Sequence, residues 1–220
     1  NCYFEIYKKI KKQKGCLVLS IKEEIIKKFN LNQKEVRLIE IFIKELKEKN
    51  KSINLVGRST IDNIWDRHVC DSIQMVSYIQ NKKHKIIDMG TGAGIPGIFL
   101  SILGCSKVVM IDSIRKKTDF IKDVITKLNI SPKVVNTRLE KFNTAPANYI
   151  VSRALAPLEK LISYSLLFSN KETSLLFLKG RNVNNEILEA KKKYNFKYSV
   201  FNSLSSGEGY VLKINDFKKK

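Results

Sequence analysis

The feature that most constrains the fold of this chain is a glycine-rich stretch that follows a short apolar run. Residues 86–97 read Ile-Ile-Asp-Met-Gly-Thr-Gly-Ala-Gly-Ile-Pro-Gly, so four of the chain's ten glycines lie within eight positions. In open α/β sheets, a strand that leads through a glycine-rich turn into a helix is a ligand site. Glycine has no Cβ and tolerates positive φ, so a ligand can press against the main chain there. The stretch therefore favours an α/β domain with a ligand at this turn over a purely structural turn.

From residue 85 onwards, short apolar runs alternate with amphipathic segments of helical length. The predicted strands are Lys85–Met89, Lys107–Ile111, Lys133–Asn136, Tyr149–Ser152 and Ser174–Leu178. The predicted helices are Gly97–Leu103, Arg115–Leu128, Leu158–Phe168 and Val183–Tyr194. This alternation indicates βαβ units and a parallel sheet that is buried on both faces. Two last runs, Tyr198–Ser203 and Gly209–Ile214, predict a closing hairpin and bring the α/β domain to seven strands.

Residues 20–80, which precede this domain, are predicted to form a helical cap. Apolar residues recur there at helical spacing between charged ones, namely Val36, Ile39, Phe42, Ile43 and Leu46. Asn32 is a candidate N-cap because Glu35 follows three residues later, as in a capping box. Residues 50–59 read as a loop, and a second helix is predicted over Asp62–Tyr78. We therefore divide the chain into a basic tail that we expect to be flexible (1–19), a helical cap (20–80) and an α/β core (81–220).

The net charge of +20 allows two interpretations. It indicates an anionic partner such as nucleic acid, or it reflects a compositional bias, since all but seven of the 41 basic residues are lysine. The four cysteines show neither CxxC nor Cys/His ligand spacing, so we expect no metal and a reduced, cytoplasmic setting. No apolar run approaches the ~20 residues of a membrane span, and the run after the lysine-rich segment 8–14 is too short for a signal peptide.

Two cofactor classes fit the glycine stretch. Residues 92–97 match the GxGxxG dinucleotide fingerprint, and Asp112, at the end of the next strand, stands where an acid would bind a ribose. Asp112 does not separate a nicotinamide from an adenosyl cofactor, because both carry a ribose. Asp88 favours S-adenosylmethionine, because a carboxylate before the first glycine repels a pyrophosphate and attracts an ammonium or sulfonium group. The alternative for Asp88 is a strand-end carboxylate that caps the following turn.

The glycine stretch, together with several other blocks, resembles the bacterial 16S ribosomal RNA guanine-N7 methyltransferase family RsmG, also called GidB. In the family's order and spacing, these blocks are Asn54-Leu55-Val56, Arg67-His68 with Asp71-Ser72, Asp112-Ser113, Arg138-Leu139-Glu140-Lys141-Phe142, Ser152-Arg153-Ala154 and Leu178-Lys179-Gly180. The resemblance covers residues 20–214. It implies a Rossmann-like class I fold dependent on S-adenosylmethionine, with an N-terminal helical cap, and methyl transfer to N7 of a specific guanine in 16S ribosomal RNA.

The resemblance also implies a set of cofactor contacts. The family contacts S-adenosylmethionine at positions that match Gly90, Ile95, Leu139, Glu140 and Arg153, to which the residues above add Asp88, Gly92, Gly94 and Asp112. Two positions depart from the family's pattern. Leu139 is bulkier than the small residue usual there, and Asn148 is neutral where many relatives carry an acid. Either change could alter the affinity for the cofactor.

The implied reaction needs little acid–base chemistry. Guanine N7 carries a free lone pair and no proton, so its methylation depends on positioning and requires no general base. The sequence assigns no catalytic residue, and the candidates are His68, Asp71 and Arg153. His68 and Asp71 would share one face of a helix, either near the target base, or bracing Arg153, or as a packing pair. Trp65 is expected to pack the cap on the sheet rather than to stack on a base.

A basic turn after the fifth strand would lie on the same edge of the sheet as the cofactor loop. The RNA-binding candidates are therefore Lys179 and Arg181, with Arg67, and the alternative is a generally basic surface. The expected partner is 16S ribosomal RNA or the 30S subunit, and the expected state is a monomer. Three other functions stay open: a small-molecule methyltransferase that uses S-adenosylmethionine, an NAD-linked oxidoreductase, and a non-catalytic RNA-binding protein of ribosome assembly.

Overall fold

The computed structural model describes residues 19–205 and 207–220, so the predicted tail 1–19 lies, apart from Leu19, outside the described residues. The described chain begins with helices and continues as an alternation of strands and helices. Its first elements are α1 (Ile21–Lys28), α2 (Gln33–Asn50), α3 (Arg58–Ile61), a π-helical turn (Trp65–Cys70), α4 (Asp71–Ile73) and a 3₁₀ turn (Gln74–Tyr78).

The remainder follows the predicted order of elements. The strands are β1 (Lys85–Met89), β2 (Lys107–Asp112), β3 (Lys133–Asn136), β4 (Tyr149–Arg153), β5 (Ser174–Lys179), β6 (Tyr194–Asn202) and β7 (Tyr210–Lys219). The helices are α5 (Gly97–Ile102), α6 (Arg115–Leu128), α7 (Leu158–Ser165) and α8 (Val183–Lys193), with 3₁₀ turns at Leu139–Lys141 and Leu166–Phe168. The bounds of β1, β3 and α6 agree with the prediction residue by residue.

All seven strands belong to one sheet, in the order β3-β2-β1-β4-β5-β7-β6. The first five strands of that order are parallel, β7 is antiparallel to β5, and β6 is antiparallel to β7. The predicted seven-stranded α/β fold with a closing hairpin is therefore confirmed. The chain order reverses between β1 and β4, so a crevice for ligands opens at the carboxyl ends of these strands.

Both faces of the sheet are buried, and alternate residues of the central strands serve opposite faces. In β1, Ile86 belongs to the core that contains α2, α5 and α6, whereas Ile87 belongs to the core that contains α7 and α8. Both side chains are fully buried. This two-sided burial is the reason why the central strands read in the sequence as unbroken apolar runs.

The cap is held on the sheet mainly by α2. Its predicted start is confirmed, because Asn32 Oδ1 accepts from the amide of Glu35 and Glu35 Oε2 accepts from the amide of Asn32, both at 2.9 Å. Phe42 of α2 packs edge to face on Phe99 of α5, with ring centroids 5.1 Å apart. Both rings are fully buried, and the full burial of such a side chain stabilises a fold by roughly 1.5–3 kcal/mol. This contact fixes the cap over one face of the sheet.

The prediction of a second, regular cap helix over Asp62–Tyr78 is wrong. The chain there passes through the π-helical turn, α4 and a 3₁₀ turn. The hydroxyl of Ser72 donates to the carbonyl of His68 at 2.6 Å at the point where the wide turn ends. Apolar spacing alone does not distinguish a wide turn from a regular one, and π-helical turns are frequently found at functional sites.

The closing hairpin is longer than predicted at its open end and one residue shorter on each strand at its turn. Strand β6 begins directly after α8 and pairs with β7 from Tyr194, opposite Lys219, to Asn202, opposite Tyr210. It is the edge strand of the sheet, and most of its residues are exposed. Its extent is therefore set by backbone pairing with β7, which leaves no apolar run in the sequence to mark its start.

Candidate functional site

A cavity of about 460 Å³ opens where the order of the sheet reverses, at the carboxyl ends of the parallel strands. This volume lies in the usual range for small-molecule sites. Four of the predicted cofactor-binding residues line it. They are Gly90 after β1, Asp112 at the end of β2, and Leu139 and Glu140 after β3. The topology thus brings together residues that are up to 50 positions apart in the sequence.

Asp112, at the end of β2, fixes two of the turns around the cavity. Its Oδ2 accepts from the amide of Gly92 at 2.9 Å, and its Oδ1 accepts from the amide of Ile114 at 2.8 Å. A carboxylate has about four acceptor positions, so these two bonds leave capacity for the hydroxyl groups of a ribose. Asp112 can therefore shape the site and contact a ligand at the same time.

Asp88 lies beneath the glycine-rich loop and is fully buried. Its Oδ2 accepts from the hydroxyl of Thr91 at 2.6 Å and from the amide of Gly97 at 2.9 Å. Its Oδ1 is buried and has no hydrogen-bond partner among the described residues. Burial raises the pKa of this carboxyl to about 7. Asp88 caps the loop, as one interpretation of the sequence predicted, and it is not among the described residues that line the cavity.

Other predicted contacts lie beside or beneath the cavity. Gly94 has φ +86°, and a Cβ there would lie 2.5 Å from Ile98 Cδ1 in the core. Ile95 is 6% exposed, and its amide donates to the carbonyl of Thr91 at 3.0 Å. Gly92 has φ +59° and contributes its amide to Asp112. These three residues give the loop its shape and are not among the described residues that line the cavity.

The 3₁₀ turn after β3 forms another wall. Leu139 is 8% exposed and packs into the core beneath the cavity, whereas Glu140 is exposed. The hydrogen bond that closes the turn runs from the amide of Lys141 to the carbonyl of Arg138 at 3.0 Å. The amides of Leu139 and Glu140 precede that bond and are left for other partners. They are the groups with which this wall could hold the edge of an adenine.

Arg153 ends β4 and joins the sheet to the cap. Its Nη1 donates to His68 Nδ1, and its Nη2 donates to the carbonyl of Arg67 at 2.8 Å. The same Nη2 lies 3.7 Å from Asp71 Oδ2. The structure thus brings the three candidates from the sequence into one cluster, in which His68 and Asp71 brace Arg153.

His68 is held as one neutral tautomer. An arginine only donates, so Nδ1 accepts, and the ring proton is on Nε2, which donates to Thr60 Oγ1 at 2.8 Å. The Thr60 hydroxyl in turn donates to the carbonyl of Gly57 at 2.8 Å. Burial first, and then the positive charges of Arg153 and Arg67, lower the pKa of His68 to about 3. Such a ring is suited to holding Arg153 and is a poor base at neutral pH.

Asp71 extends this cluster to the closing hairpin. Its Oδ1 accepts from the hydroxyl of Ser203 at 2.7 Å, and Gln74 Nε2 donates to Ser203 Oγ, also at 2.7 Å. The Gln74 side chain also accepts from the amide of Leu204 at 3.0 Å. Sequence reasoning missed Gln74 and Ser203, because they are 129 positions apart and no motif marks either one.

Of the predicted RNA-binding residues, Lys179 is engaged inside the protein. Its side chain is 9% exposed, and Nζ pairs with Glu186 Oε2 at 2.6 Å. The same ammonium group donates to the carbonyl of Ala156 at 3.2 Å. In this conformation Lys179 binds the protein's own acceptors and is not presented to a phosphate.

Arg181 and Arg67 lie at the turn of the closing hairpin. Arg181 is exposed and pairs with Glu208 at 2.7 Å. Arg67 packs its guanidinium directly on Gly207, since a Cβ there would overlap Arg67 Nη1. Arg181 and Arg67 are thus brought together at this turn, and Lys179 is not part of that group.

Two further residues from the sequence analysis lie away from the cavity. Asn148 precedes β4, and its Oδ1 accepts at 2.9 Å from the amide of Lys85, at the start of β1. It therefore stands at the amino ends of the strands, opposite the cavity, and this geometry gives it no route to the cofactor. Trp65 is partly buried and packs against the core shared by the cap and the sheet, as expected.

The comparison with protein families agrees with this site. The family described as rRNA small subunit methyltransferase G, or GidB, matches residues 35–211, from the first turn of α2 to β7. This chain belongs to that family. The resemblance inferred from the motifs is confirmed, and the matched range includes the whole cavity and the Arg153 cluster.

Individual proteins support the same assignment. The ribosomal RNA small subunit methyltransferase G of Rickettsia prowazekii (strain Madrid E) is 38% identical over 201 residues, which are 91% of this chain and 99% of the relative. A TehB-like SAM-dependent methyltransferase from Corynebacterium glutamicum has a TM-score of 0.54 at 16% identity, covering 80% of this chain and 98% of its own. A ribosomal protein L11 methylase from Lactobacillus delbrueckii subsp. bulgaricus has a TM-score of 0.53 at 20% identity, covering 65% and 76%. These structures bear on the fold alone, and they confirm the predicted class I methyltransferase fold.

The residues around the cavity fit S-adenosylmethionine. Asp112 offers acceptors to a ribose, the amides of Leu139 and Glu140 can meet an adenine, and Gly90 presents bare main chain. Asp88 lies beneath the glycine-rich loop, fully buried and outside the described residues that line the cavity, so it acts on the site through the loop that it caps.

The described residues show neither a membrane-crossing helix nor a metal cluster. Within 19–205 and 207–220, every helix is too short or too polar to cross a bilayer. The same part of the chain contains no group of three or more His, Cys, Asp and Glu side chains placed to hold a metal ion. Cys70 and Cys105 are buried free thiols, and burial raises the pKa of each.

Proposed function

We propose that this protein transfers a methyl group from S-adenosylmethionine to N7 of a guanine in 16S ribosomal RNA. The observation that carries the proposal is the cavity at the switch point of the sheet, lined by residues at or after the ends of four strands, β1 to β4, in a chain of the GidB family. The same membership sets aside the NAD-linked oxidoreductase. A small-molecule methyltransferase and a non-catalytic RNA-binding protein remain as outcomes of the assays below.

The cofactor supplies a methyl group on a positively charged sulfur, and the chain supplies its position. In the proposed arrangement Asp112 accepts from the ribose hydroxyl groups, and the amides of Leu139 and Glu140 hold the adenine. Gly90 lets the methionine part approach the main chain. Asp88, with Gly92 and Gly94, keeps the loop in shape beneath the ligand.

No residue of the Arg153 cluster is required to remove a proton. Guanine N7 attacks with a lone pair that carries no proton, so the rate depends on alignment of the nitrogen, the methyl group and the sulfur. His68 is buried, neutral and engaged by Arg153 and Thr60. The cluster of Arg153, His68 and Asp71 therefore acts by fixing the end of β4 against the cap and the hairpin, beside the cavity.

The contacts with RNA phosphates are proposed for basic residues at the mouth of the cavity and at the hairpin turn. Lys117 and Arg138 line the cavity itself. Neither has an ion-pair partner among the residues that the structure describes, so both can offer their charge to a phosphate. Arg67 and Arg181 at the hairpin turn would extend this surface. Lys179, engaged with Glu186, does not belong to it.

The chain is proposed to work as a monomer in the cytoplasm, where ribosomal RNA is found, on free 16S RNA or on the 30S particle. We also propose a division of labour between its parts. The core, residues 81–220, holds the cofactor, whereas the cap, residues 20–80, braces the site through His68 and Asp71. Deleting the cap would leave Arg153 without these partners, so we expect loss of cofactor binding along with loss of stability.

The first experiment is a calorimetric titration of S-adenosylmethionine into the wild type and into Gly90→Asp. A side chain at Gly90 enters the space at the main chain where the ligand is proposed to lie, so binding should be lost. Gly104→Asp is the matched control, because Gly104 also has a positive φ (+90°), is exposed, and lies before β2, at the opposite ends of the strands from the cavity. If Gly90→Asp binds as tightly as the wild type, the cofactor does not use this loop.

The reaction is tested with 30S particles that lack the modification and with cofactor labelled on its methyl group. Digestion to nucleosides followed by mass spectrometry should give labelled 7-methylguanosine. A different labelled nucleoside would refute the N7 assignment. Binding of RNA without cofactor binding would favour the non-catalytic alternative, and salt-insensitive transfer to a small acceptor would favour the small-molecule enzyme.

A further inference from the structure

The segment between β4 and α7, residues 154–157, runs along the cavity, and we call it the strap. Ala154 and Leu155 are among the residues that line the cavity. Ala154 has φ +53°, a left-handed conformation that a residue with a Cβ adopts only when its surroundings hold it there. The course of the strap is therefore set by its anchors rather than by its own conformational preference.

Leu155 lies directly on Gly90, the loop residue at which the methionine part of the cofactor is proposed to lie. A Cβ on Gly90 would be 2.4 Å from Leu155 Cδ1 and 2.9 Å from Leu155 Cγ. The leucine side chain thus covers the main-chain surface that the glycine leaves bare. A ligand that contacts this surface must displace Leu155, which is 36% exposed and has solvent to move into.

The strap is tied down at both ends by charged side chains. It starts at Arg153, whose guanidinium is fixed in the cap. At the other end, Lys179 Nζ donates to the carbonyl of Ala156 at 3.2 Å and pairs with Glu186 Oε2 at 2.6 Å. Glu186 Oε2 also accepts at 2.7 Å from the amide of Leu158, the first residue of α7. We call the Lys179–Glu186 pair the clamp.

The clamp is better shielded from water than a second lysine–glutamate pair that involves α8. The Lys179 and Glu186 side chains are 9% and 19% exposed, whereas those of Lys193 and Glu159, which join α8 to α7, are 63% and 40% exposed. Removing one partner of a shielded pair is far more disruptive than removing one partner of an exposed pair. The clamp is therefore built to hold the strap, and the exposed pair provides a control for it.

We propose that Leu155 is a gate over the methionine part of the cofactor site and that the clamp is the positioning pair that keeps this gate closed. The proposal rests on the proposed function, since S-adenosylmethionine is the ligand taken to reach Gly90. Leu155 and the ligand compete for the same surface. The apparent affinity is then reduced by the fraction of protein in which the gate is closed, so a change that removes or loosens the gate raises the affinity.

The direct test is Leu155→Ala, followed by calorimetry and stopped-flow measurement of S-adenosylmethionine binding. Removing the competing side chain should lower Kd by about three- to tenfold and speed association, because a larger fraction of the protein is open. A side chain that instead forms a wall against the bound ligand would have the opposite effect, since truncation would remove packing contacts. A Kd that rises or stays unchanged overturns the gate.

The clamp is tested with Lys179→Met. Like Leu155→Ala, this variant should lower the Kd for S-adenosylmethionine. Combining it with Leu155→Ala should change Kd no further, because both changes act through the side chain of Leu155. Lys193→Met is the matched control and should bind like the wild type. Glu186→Gln breaks the same pair from the other side and replaces Lys179→Met if that variant fails to fold. Additive effects, or wild-type affinity in both clamp variants, overturn the role of the clamp.

RNA binding by Lys179→Met separates a clamp from a phosphate contact. Loss of a lysine that binds a phosphate lowers the slope of log K against log salt by about one, whereas loss of a clamp residue leaves the slope unchanged. Failure of the wild type to bind S-adenosylmethionine, alone or with 30S particles, would refute the proposed function. Binding by the wild type without tighter binding by Leu155→Ala would refute the gate alone.

Discussion

Replacing Gly97 with alanine should destabilise the protein, although Gly97 lies in helix α5, where helix propensity favours alanine. A Cβ at Gly97 would lie 2.6 Å from Cγ and Sδ of Met110 and 2.8 Å from Asp88 Oδ2. Met110 and Asp88 are both fully buried, so neither can give way into solvent. The amide of Gly97 also donates to Asp88 Oδ2 at 2.9 Å, so any shift of the helix strains this bond.

The size of the effect follows from two opposing terms. Overpacking a buried site costs about 1–3 kcal/mol, and the higher helix propensity of alanine returns at most about 1 kcal/mol. Because the added Cβ would overlap fully buried atoms, the upper part of the first range applies, about 2–3 kcal/mol. The free energy of unfolding should therefore fall by about 1–3 kcal/mol, which for a domain of this size lowers Tm by about 2–12 °C. Urea and thermal unfolding followed by circular dichroism would measure both quantities.

The matched control is Gly180→Ala, because a Cβ there would have no heavy atom of the described residues within 4 Å. It should be neutral or stabilising by about 0.4–1 kcal/mol, through the unfolded state. Met110→Ala should cost less in the Gly97→Ala background than alone, since it removes the atoms that overlap. A Gly97→Ala protein as stable as the wild type would refute the steric argument.

Three further predictions concern single side chains. Burial raises the pKa of Asp88 to about 7 from its usual 3.8, so the folded state holds this proton where the unfolded chain has lost it, and stability falls as pH rises from about 4 to 7. In urea unfolding, the stability of Asp88→Asn relative to the wild type should therefore rise across that pH window, and parallel pH profiles would contradict this. The pKa of His68 is lowered to about 3, so its neutral form contributes stability that is lost as pH falls from 6.5 towards 3. His68→Gln should not lose this stability, and a variant that loses stability between pH 6.5 and 3 as the wild type does would contradict the prediction. Asn148→Asp, at the opposite ends of the strands, should leave the Kd for S-adenosylmethionine within about twofold of the wild type, and a larger calorimetric change would show coupling across the sheet.

The parts of the fold that the sequence predicted best are those whose pattern has a single physical cause. Strand β1 is apolar because both its faces are buried, and helix α6 has one buried stripe, with residues such as Phe120, Ile121 and Val124, between exposed charges. The cap after residue 57 was mispredicted because apolar spacing does not fix which carbonyl each amide bonds. The edge strand β6 was cut short because it is mostly exposed and owes its length to the backbone of β7.

The candidate site divides in the same way. The sequence placed Gly90, Asp112 and Glu140 at one edge of the sheet because each lies at or after the end of a parallel strand, and their contact with the cofactor stays a prediction. Leu155 and the partner of Lys179 were not found. Their contacts depend on the path of the strap, which turns at Ala154 through a positive φ. A glycine would have indicated such a turn in the sequence, but an alanine occupies this position. Lys179, at the end of β5, was predicted to bind an RNA phosphate, and the structure adds that its ammonium group pairs with Glu186 and donates to the carbonyl of Ala156.

The glycine-rich stretch shows why a motif cannot by itself separate ligand contact from packing. A Cβ at Gly90 would enter the cavity side of the loop, where Leu155 lies, whereas a Cβ at Gly94 or Gly97 would enter the core at Ile98 or Met110. All of these positions exclude a side chain, so they look alike in the sequence. Gly90 has φ +64°, so a substitution there strains the backbone and also blocks the cavity side of the loop, whereas a substitution at Gly97 acts on stability through overlap in the core. On its cavity side the loop has no side chain at Gly90, where the ligand is proposed to lie. On its core side it has none at Gly94 and Gly97, because the helix that follows packs directly on β1 and β2.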